Sequence, residues 1–266
     1  MDIKGKKVLL TGATGGLGRT MAQHLARDGA HLILSSRSEG ALASMADALP
    51  GQGHSVLASD LGEPGAAADL AVRAGHVDCL IANAALPSTG KLSDLTEEQI
   101  QRMLRINLES PILLCQALLP AMLERSSGKL VMIGSLAGKL ASPRSSIYNA
   151  SKFGIRGFAL GLKGDLAGTG VGITLVTPGF VSDAGMFADS GVSLSPAIGT
   201  TTPQKVAGAV LRAIRTDRPE ITVAPVTQKV AAHLGLVSPR LSYRMQSGSS
   251  GQKTAEKFAA GQTDKR

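Results

Sequence analysis

Seven short apolar segments alternate along this chain with longer segments of helical periodicity, and this order constrains the fold more than any other feature. Regular β-α-β alternation implies parallel strands joined by right-handed crossovers. Near-continuous apolar runs such as residues 130–133 suit a sheet that is buried on both faces. The sequence therefore predicts an α/β fold of the Rossmann type, a doubly wound parallel sheet of about seven strands with helices on both faces. Strands are expected at residues 7–11, 31–35, 55–58, 78–83, 129–134, 172–177 and 220–224, and helices at 17–28, 40–49, 64–74, 96–125, 146–167 and 203–216.

The composition changes near Gln228, which predicts a catalytic domain over residues 1–228 and a basic, partly flexible tail over residues 229–266. The tail holds seven Lys/Arg against two acidic residues, so it carries +5 of the formal net charge of +8. Basic surfaces that bind single-stranded nucleic acid usually carry aromatic residues for stacking. The tail has only Tyr243 and Phe258, so a solvated tail is the preferred interpretation and no nucleic-acid partner is expected. A short helix is expected at residues 229–237.

The remaining composition favours a cytoplasmic protein without a metal centre. No apolar run approaches the roughly 18 residues of a membrane span, and the chain enters its first strand too early for a signal peptide. Cys79 and Cys115 form no C-x-x-C pair, which suits a reducing compartment. The five histidines lack the spacing of metal ligands. Whether the tail associates with a membrane is left open by the sequence.

A glycine-rich turn follows the first strand and reads Thr11-Gly12-Ala13-Thr14-Gly15-Gly16-Leu17-Gly18. Glycines in such a turn let the chain reverse, let the backbone approach a pyrophosphate, and let the next helix pack against the strand. The helix that begins near Leu17 would offer free N–H groups to the phosphates. The turn therefore predicts a dinucleotide site, with these cofactor-binding candidates: Gly12, Thr14, Gly15, Gly16, Leu17 and Gly18.

The end of the second strand predicts which dinucleotide is bound. An acidic residue there would bond the ribose 2′-hydroxyl of NAD, whereas an arginine accommodates the 2′-phosphate of NADP. The segment reads Ser35-Ser36-Arg37-Ser38, with no carboxylate at the tip. Ser36 and Arg37 are therefore predicted to bind the 2′-phosphate, and NADP(H) is expected to be preferred over NAD(H).

Taken with Ser135 and the pair Tyr148-x-x-x-Lys152, the glycine turn resembles that of the short-chain dehydrogenase/reductase superfamily. The resemblance covers roughly residues 5–225. Because Gly15 and Gly16 are both present, the turn also fits the signature of the extended branch. The short interval from Ser135 to Tyr148, and the little chain left for a substrate domain, favour the compact single-domain branch.

The resemblance implies further site residues, taken one position at a time. Asp60 and Leu61 match the pair that contacts adenine, and Asn107 matches an asparagine of the proton relay. Asn83 matches the second asparagine of the family's Asn-Asn-Ala-Gly; Ala84 follows it, and Ala82 and Ala85 stand where the family has Asn and Gly. Pro178, Gly179 and Val181 follow the sixth strand as cofactor-binding candidates. Asp183 replaces the threonine that holds the nicotinamide carboxamide, which changes the contacts expected there.

Residue chemistry gives the Ser-Tyr-Lys group a mechanism. Hydride transfer to a carbonyl leaves an alkoxide that needs a proton. Tyr148 can supply it, although its usual pKa of about 10 makes it a poor shuttle unless an ammonium lowers that pKa. Lys152 lies one helical turn later on the same face, and Ser135 can stabilise charge on the substrate oxygen. By resemblance, Lys152 also bonds the nicotinamide ribose.

The sequence thus predicts an NADP(H)-dependent oxidoreductase that interconverts a carbonyl and a secondary alcohol. Two alternatives stay open: an NADP(H)-sensing binding protein with little turnover, and an epimerase or dehydratase acting on a nucleotide-sugar. Residues 186–202 are expected to form a substrate lid, whose Leu, Met, Phe and Val favour an apolar substrate. By resemblance, the fourth and fifth helices would form a homodimer or homotetramer.

Overall fold

Seven parallel strands form one sheet in the computed structural model, which describes residues 1–87, 90–192, 198–238, 240, 243, 244, 256 and 261. The sheet order is β3-β2-β1-β4-β5-β6-β7, and every neighbouring pair is parallel. The predicted doubly wound parallel sheet is confirmed, and each strand end lies within one residue of its expected position. The strands are β1 (Lys7–Thr11), β2 (His31–Ser36), β3 (Ser55–Ala58), β4 (Cys79–Ala82), β5 (Gly128–Ile133), β6 (Val171–Pro178) and β7 (Glu220–Val223).

Helices cover both faces of this sheet, so side chains that alternate along one strand enter two different cores. Val8 and Leu10 pack into the core that includes α1 and α7, whereas Leu9 between them packs into the core that includes α3, α5 and α6. All three are fully buried, which explains why β1 is apolar throughout. The helices are α1 (Gly16–Arg27), α2 (Glu39–Asp47), α3 (Ala66–Ala74), α4 (Glu97–Leu104), α5 (Ser110–Glu124), α6 (Ser146–Asp165), α7 (Pro203–Arg215) and α8 (Val226–Val237).

Two helix starts follow directly from the sequence. The Thr96 hydroxyl accepts a hydrogen bond from the Gln99 main chain, and the Gln99 side chain accepts one from the Thr96 main chain. This reciprocal pair is a capping box at the start of α4. Thr202 caps α7 by accepting a hydrogen bond from the Lys205 main chain, and Pro203 stands at the first helical position.

The single helix expected at residues 96–125 is interrupted, which corrects the sequence interpretation. Residues Arg105–Glu109 form one π-helical turn between α4 and α5, and the Ser110 main chain donates to the carbonyl of Arg105. Pro111 has no N–H to donate to the carbonyl of residue 107, so an unbroken α-helical ladder is not available here. Such π turns are frequent at functional sites, and this one carries Asn107.

One helical stretch among the described residues, Glu97–Glu124, has the length and mean hydropathy of a membrane-crossing helix. A core helix of a folded domain passes the same test. Here α5 packs against α3 and β5, and α4 packs against α6. The stretch is thus part of the helical layer that covers one face of the sheet.

The short helix expected at residues 229–237 is observed as α8, and it begins earlier, at Val226. It therefore runs across residue 228, where the composition changes. The division of the chain into a catalytic domain and a tail stays a prediction.

Candidate active site

The glycine turn lies beyond the carboxyl end of β1, where β1 lies between β2 and β4 and the order of strands along the chain reverses. Gly12 has a φ of 62°, and a Cβ there would lie 2.8 Å from Cα of Ala84. A Cβ on Gly18 would lie 2.6 Å from the Ala13 carbonyl oxygen. These two positions therefore accept only glycine without movement of the backbone, and they bring α1 close to the end of β1.

The other residues predicted in this turn surround the N-terminus of α1. Gly15 precedes the helix and caps it without a side chain, and its N–H donates to the Gly12 carbonyl at 3.2 Å. The Thr14 carbonyl accepts from the Arg19 side chain at 2.9 Å. Leu17 is partly buried and packs against the core. The turn thus presents main-chain N–H groups at a helix N-terminus, which is the arrangement that binds phosphate.

Thr11 and Asn83 fasten the turn to the end of β4. The Thr11 hydroxyl accepts from the main-chain N–H groups of Asn83 and Ala84, at 3.0 and 3.1 Å. The Asn83 amide donates to the carbonyls of Thr11 and Gly12, both at 3.1 Å. Asn83 therefore shapes the cofactor site by holding the turn, and Ala84 and Ala85 are partly buried beside it. Thr11 was not singled out from the sequence, although a threonine directly before the first glycine is a usable signal.

The tip of β2 offers groups for a ribose phosphate. The Ser36 hydroxyl is buried and has no hydrogen-bond partner among the described residues. Arg37 next to it is exposed, and within the described chain its side chain forms no hydrogen bond or ion pair. A buried hydroxyl without a partner beside an uncommitted arginine fits a phosphate ligand.

Asp60 lies near this tip with its charge already balanced. Its carboxylate binds Arg102 at 2.7 Å and accepts from the Gly62 main chain at 2.9 Å. Partial burial acts to raise the pKa of Asp60, but these hydrogen bonds and the charges of Arg102 and Arg37 outweigh it and hold the pKa below its usual value. Leu61 is buried in the core, so it can face a nucleotide only with its main chain.

The predicted catalytic group meets where β5 ends beside α6. Ser135 follows β5 and caps a 3-10 turn at Leu136–Gly138, and its hydroxyl accepts from the Ala137 main chain at 3.1 Å. Tyr148 lies in the first turn of α6, which packs against this 3-10 turn. The Lys152 ammonium lies 5.6 Å from the centre of the Tyr148 ring. The i to i+4 spacing therefore places Tyr148 and Lys152 on one face of α6, and the bond from Lys152 to the Ile133 carbonyl brings that face to the end of β5, which Ser135 follows. The catalytic roles of these three residues stay predictions.

The electrostatics of this group differ from the sequence expectation. Burial raises the pKa of Tyr148 above its usual value, although the nearby Ser135 hydroxyl partly opposes that shift. Burial lowers the pKa of Lys152 to about 8. The Lys152 ammonium donates to the Ile133 carbonyl at 3.2 Å rather than facing the phenol oxygen. In this arrangement the phenol of Tyr148 holds its proton at neutral pH.

Asn107 packs beside α6, and its position depends on the π turn. Its amide forms a reciprocal pair with the main chain of Leu86, accepting at 2.7 Å and donating at 2.9 Å. The same amide donates to the Ser151 hydroxyl at 3.4 Å, and that hydroxyl donates to the Tyr148 carbonyl at 2.8 Å. Ser151 is fully buried and was missed from the sequence. Its place one residue before Lys152 was the available signal.

Pro178, Gly179 and Val181 lead from β6 into the segment that faces the glycine turn. Gly179 donates to the Val223 carbonyl at 3.0 Å, and Val181 forms an isolated bridge with Thr201. Asp183 adopts a left-handed φ of 64°, and its carboxylate accepts from the Ser182 hydroxyl at 2.7 Å.

The same segment approaches the cofactor turn directly. A Cβ on Gly16 would lie 2.8 Å from Cβ of Ala184 and from the Gly185 nitrogen, so glycine is needed for this contact. Farther along, the rings of Phe180 and Phe187 lie 5.0 Å apart. Residues 193–197 of the expected lid lie outside the described residues.

Gln228 on α8 holds both ends of the segment and was missed from the sequence. Its side-chain oxygen accepts from the Phe180 main chain at 3.2 Å, and its amide donates to the carbonyls of Ile198 and Gly199, at 3.3 and 2.8 Å. It is only 6% exposed. Nothing in the local sequence distinguishes it from a surface glutamine, because its partners are far away along the chain.

The fold and this site define an NAD(P)-dependent oxidoreductase that acts on small molecules. A family model described as short chain dehydrogenase matches residues 6–192. The chain therefore belongs to the short-chain dehydrogenase/reductase family.

Relatives in this family extend over most of the chain. The sequence is 37% identical to the ketoacyl reductase HetN of Nostoc sp. over 248 residues, which covers 89% of this chain and 86% of that protein. It is 32% identical to the dehydrogenase/reductase SDR family member 7B of Mus musculus over 257 residues, covering 90% and 79%. A variant of actinorhodin polyketide ketoreductase with NADPH superimposes with a TM-score of 0.76 at 27% identity, over 84% of this chain and 97% of that one. The closed form of serine dehydrogenase with NADP+ superimposes with a TM-score of 0.73 at 26% identity, over 83% and 95%.

Proposed function

We propose that this protein is an NADP(H)-dependent carbonyl reductase in which Tyr148 donates the proton to the substrate oxygen. The observation that carries the proposal is the position of the buried Lys152 ammonium, 5.6 Å from the centre of the Tyr148 ring and bonded to the Ile133 carbonyl at the end of β5, which Ser135 follows. The names of two similar proteins, a ketoacyl reductase and a polyketide ketoreductase, favour a ketoacyl compound as the substrate.

Each side chain has a separate task in this proposal. The bound nicotinamide supplies the hydride. Because burial raises the pKa of Tyr148, its phenol is protonated at neutral pH and can donate to the carbonyl oxygen as negative charge develops there. The Ser135 hydroxyl orients that oxygen, and the positive charge of Lys152 stabilises the phenolate left after proton transfer. In the direction of alcohol oxidation, the same phenolate would act as the base.

A preference for NADP(H) rests on the groups at the tip of β2. Ser36 offers a buried hydroxyl without a partner, and Arg37 an uncommitted charge. Asp60 would repel a phosphate if its charge were unbalanced, but Arg102 already pairs with it. The positive charge of Arg37 is therefore left for the 2′-phosphate.

A homodimer or homotetramer and a cytoplasmic location stay predictions.

The first experiment measures NADPH oxidation with a panel of ketones that includes ketoacyl thioesters, for the wild type and for Tyr148→Phe. General acid catalysis contributes about 10²- to 10⁴-fold, so the variant should lose that much kcat while still binding NADPH. Tyr243→Phe is the matched control, because Tyr243 is the other tyrosine of the chain and is 73% exposed. Wild-type turnover in Tyr148→Phe would refute the assigned role. NADPH binding without reduction of any ketone would favour the sensor alternative.

The second experiment tests the cofactor preference with Arg37→Ser. Hydrogen bonds to charged groups contribute about 1.5–3 kcal/mol, so KM for NADPH should rise about 10- to 100-fold while KM for NADH changes little. Arg27→Ser is the control, since Arg27 is exposed at the other end of α1. Equal use of NADH and NADPH by the wild type would contradict the proposal.

A further inference from the structure

Helix α8 packs on the protein by one face and carries an exposed apolar stripe on the opposite face. Its inner face packs on the protein through Gln228 and Ala232, both buried, and through Gly235, where a Cβ would lie 2.6 Å from the Leu140 side chain. At about 100° per residue these inner positions lie within about 60° of one another. The opposite face carries four exposed aliphatic residues within about 80°, here called the α8 patch: Val226, Val230, Leu234 and Val237.

The exposure of this patch is unusual for a surface helix, which normally turns its apolar stripe towards the core and polar residues outward. Val237 is 82% exposed, Val226 74% and Val230 52%. A single exposed aliphatic residue needs no explanation, but four aliphatic residues at helical spacing form a stripe.

The charges around the patch have one sign. Residues 226–244 contain no Asp or Glu, whereas they contain Lys229 and Arg240, both of them exposed. Tyr243 is exposed beside Arg244. An apolar stripe flanked by basic residues, with an aromatic residue nearby, is the pattern of helices that lie on anionic lipid surfaces.

Two other occupants fit the patch less well. Four aliphatic side chains provide far less than the roughly 800 Å² per partner that a stable interface between two copies buries. Such pairing would also bring two sets of basic residues together without an acidic partner. The second alternative is the chain's own tail, whose described acidic residue, Glu256, pairs with Arg144 and not with Lys229 or Arg240.

We propose that the α8 patch, together with Lys229 and Arg240, docks this protein peripherally on an anionic lipid bilayer. Docking would place the substrate side of the site close to the lipid, because the Thr227 hydroxyl donates to the Ile198 carbonyl at 3.1 Å and Gln228 binds the same segment. Ile198 itself is 39% exposed. The proposal does not depend on the reaction assigned above.

The test is cosedimentation of the full-length protein with phosphatidylcholine vesicles, with and without phosphatidylserine. We expect binding to the phosphatidylserine vesicles, and about tenfold weaker binding for the triple variant Val226→Ser, Val230→Ser, Val237→Ser. These side chains face solvent, so the variant should keep wild-type circular dichroism and turnover of a soluble ketone. Val72→Ser is the control, because Val72 is 80% exposed on α3.

The charge contribution is tested with Lys229→Gln and Arg240→Gln together. Binding should weaken in this variant, and for the wild type it should weaken as salt rises, because salt screens attraction to the lipid headgroups. The proposal is overturned if the wild type does not bind phosphatidylserine vesicles, or if the triple variant binds as well as the wild type. It is also overturned if the valine substitutions instead abolish self-association, which would make the patch an interface between copies.

Discussion

After β1 and after β6 the chain enters a turn that a side-chain amide from elsewhere holds in place. Beyond β1, the amide is that of Asn83, which follows β4 directly and donates to the carbonyls of Thr11 and Gly12. Beyond β6, it is Gln228, which belongs to α8 and reaches Phe180, Ile198 and Gly199. The first amide is fixed by the neighbouring strand of the sheet. The second is fixed by a helix near the end of the chain that packs by one face only.

The two turns belong to different parts of the candidate site: the turn after β1 lies on the nucleotide side, and the turn after β6 lies on the substrate side. On the nucleotide side, glycines at positions 12 and 18 approach main-chain atoms so closely that no larger residue fits. On the substrate side, the bridge between Val181 and Thr201 pairs the two ends of the segment from 180 to 201 with each other, and in the described part of the segment the side chains of Thr227 and Gln228 bind it to α8. The nucleotide site is therefore set by the sheet, whereas the shape of the substrate side depends on a few side chains.

The largest effect is expected for Gly18→Ala, which tests the nucleotide side of the site, where close main-chain contacts set the geometry. The new Cβ would overlap the Gly12 carbonyl oxygen and lie 2.6 Å from that of Ala13, so α1 must move away from β1. We expect the affinity for NADPH to fall about 100-fold, and overpacking to lower the free energy of unfolding by about 1–3 kcal/mol. Cofactor titration and thermal unfolding measure the two effects.

The control for this change is Gly208→Ala in α7, where a Cβ would meet no atom within 4 Å. Alanine in the interior of a helix is favoured over glycine, so this variant should unfold at the same or a higher temperature. If Gly18→Ala bound NADPH as tightly as Gly208→Ala does, the glycine turn would not be limited by close approach.

Lys152→Met tests the buried ammonium beside the Tyr148 ring. Burial lowers the pKa of Lys152 from 10.5 to about 8, so below pH 8 the folded protein carries a buried charge at a cost of up to about 3 kcal/mol. Removing that charge should stabilise the fold by about 1–3 kcal/mol at pH 7, even though activity is lost. Urea unfolding at several pH values is the measurement.

The sign of the pH dependence follows from the proton count. Between about pH 8 and 10.5 the unfolded chain binds more protons at Lys152 than the folded protein does, so wild-type stability rises with pH in that window. The advantage of Lys152→Met is fully present below pH 8 and should vanish towards pH 10.5. Lys205→Met, at an exposed position in α7, should show no such trend. A variant less stable than the wild type at pH 7 would mean that packing or the bond to Ile133 outweighs the buried charge.

The two sides of the site also differ in how far the sequence predicted them. The glycine turn and the group Ser135, Tyr148 and Lys152 were placed correctly, because each depends on residues close together in sequence or on strand ends that must meet. Gln228 depends on contacts with residues 29 to 48 positions away, and a single sequence carries no signal at that range. The orientation of Lys152 towards Ile133 was missed for a different reason: spacing fixes a helix face, but it does not fix the hydrogen bond that the side chain forms.

The smallest effect is expected for Gln228→Leu, which tests the substrate side of the site, whose shape depends on a few side chains. The substitution removes the hydrogen bonds to Phe180 and to residues 198 and 199, each contributing about 0.5–1.5 kcal/mol. Because Gln228 acts through the segment rather than on the reacting atoms, KM for the ketone should rise about 5- to 10-fold while kcat and NADPH affinity change less than about twofold. Gln204→Leu, exposed on α7, should leave all three constants unchanged. Loss of NADPH affinity equal to the rise in KM would instead show that Gln228 supports the whole site, and the proposed division between the two sides would fail.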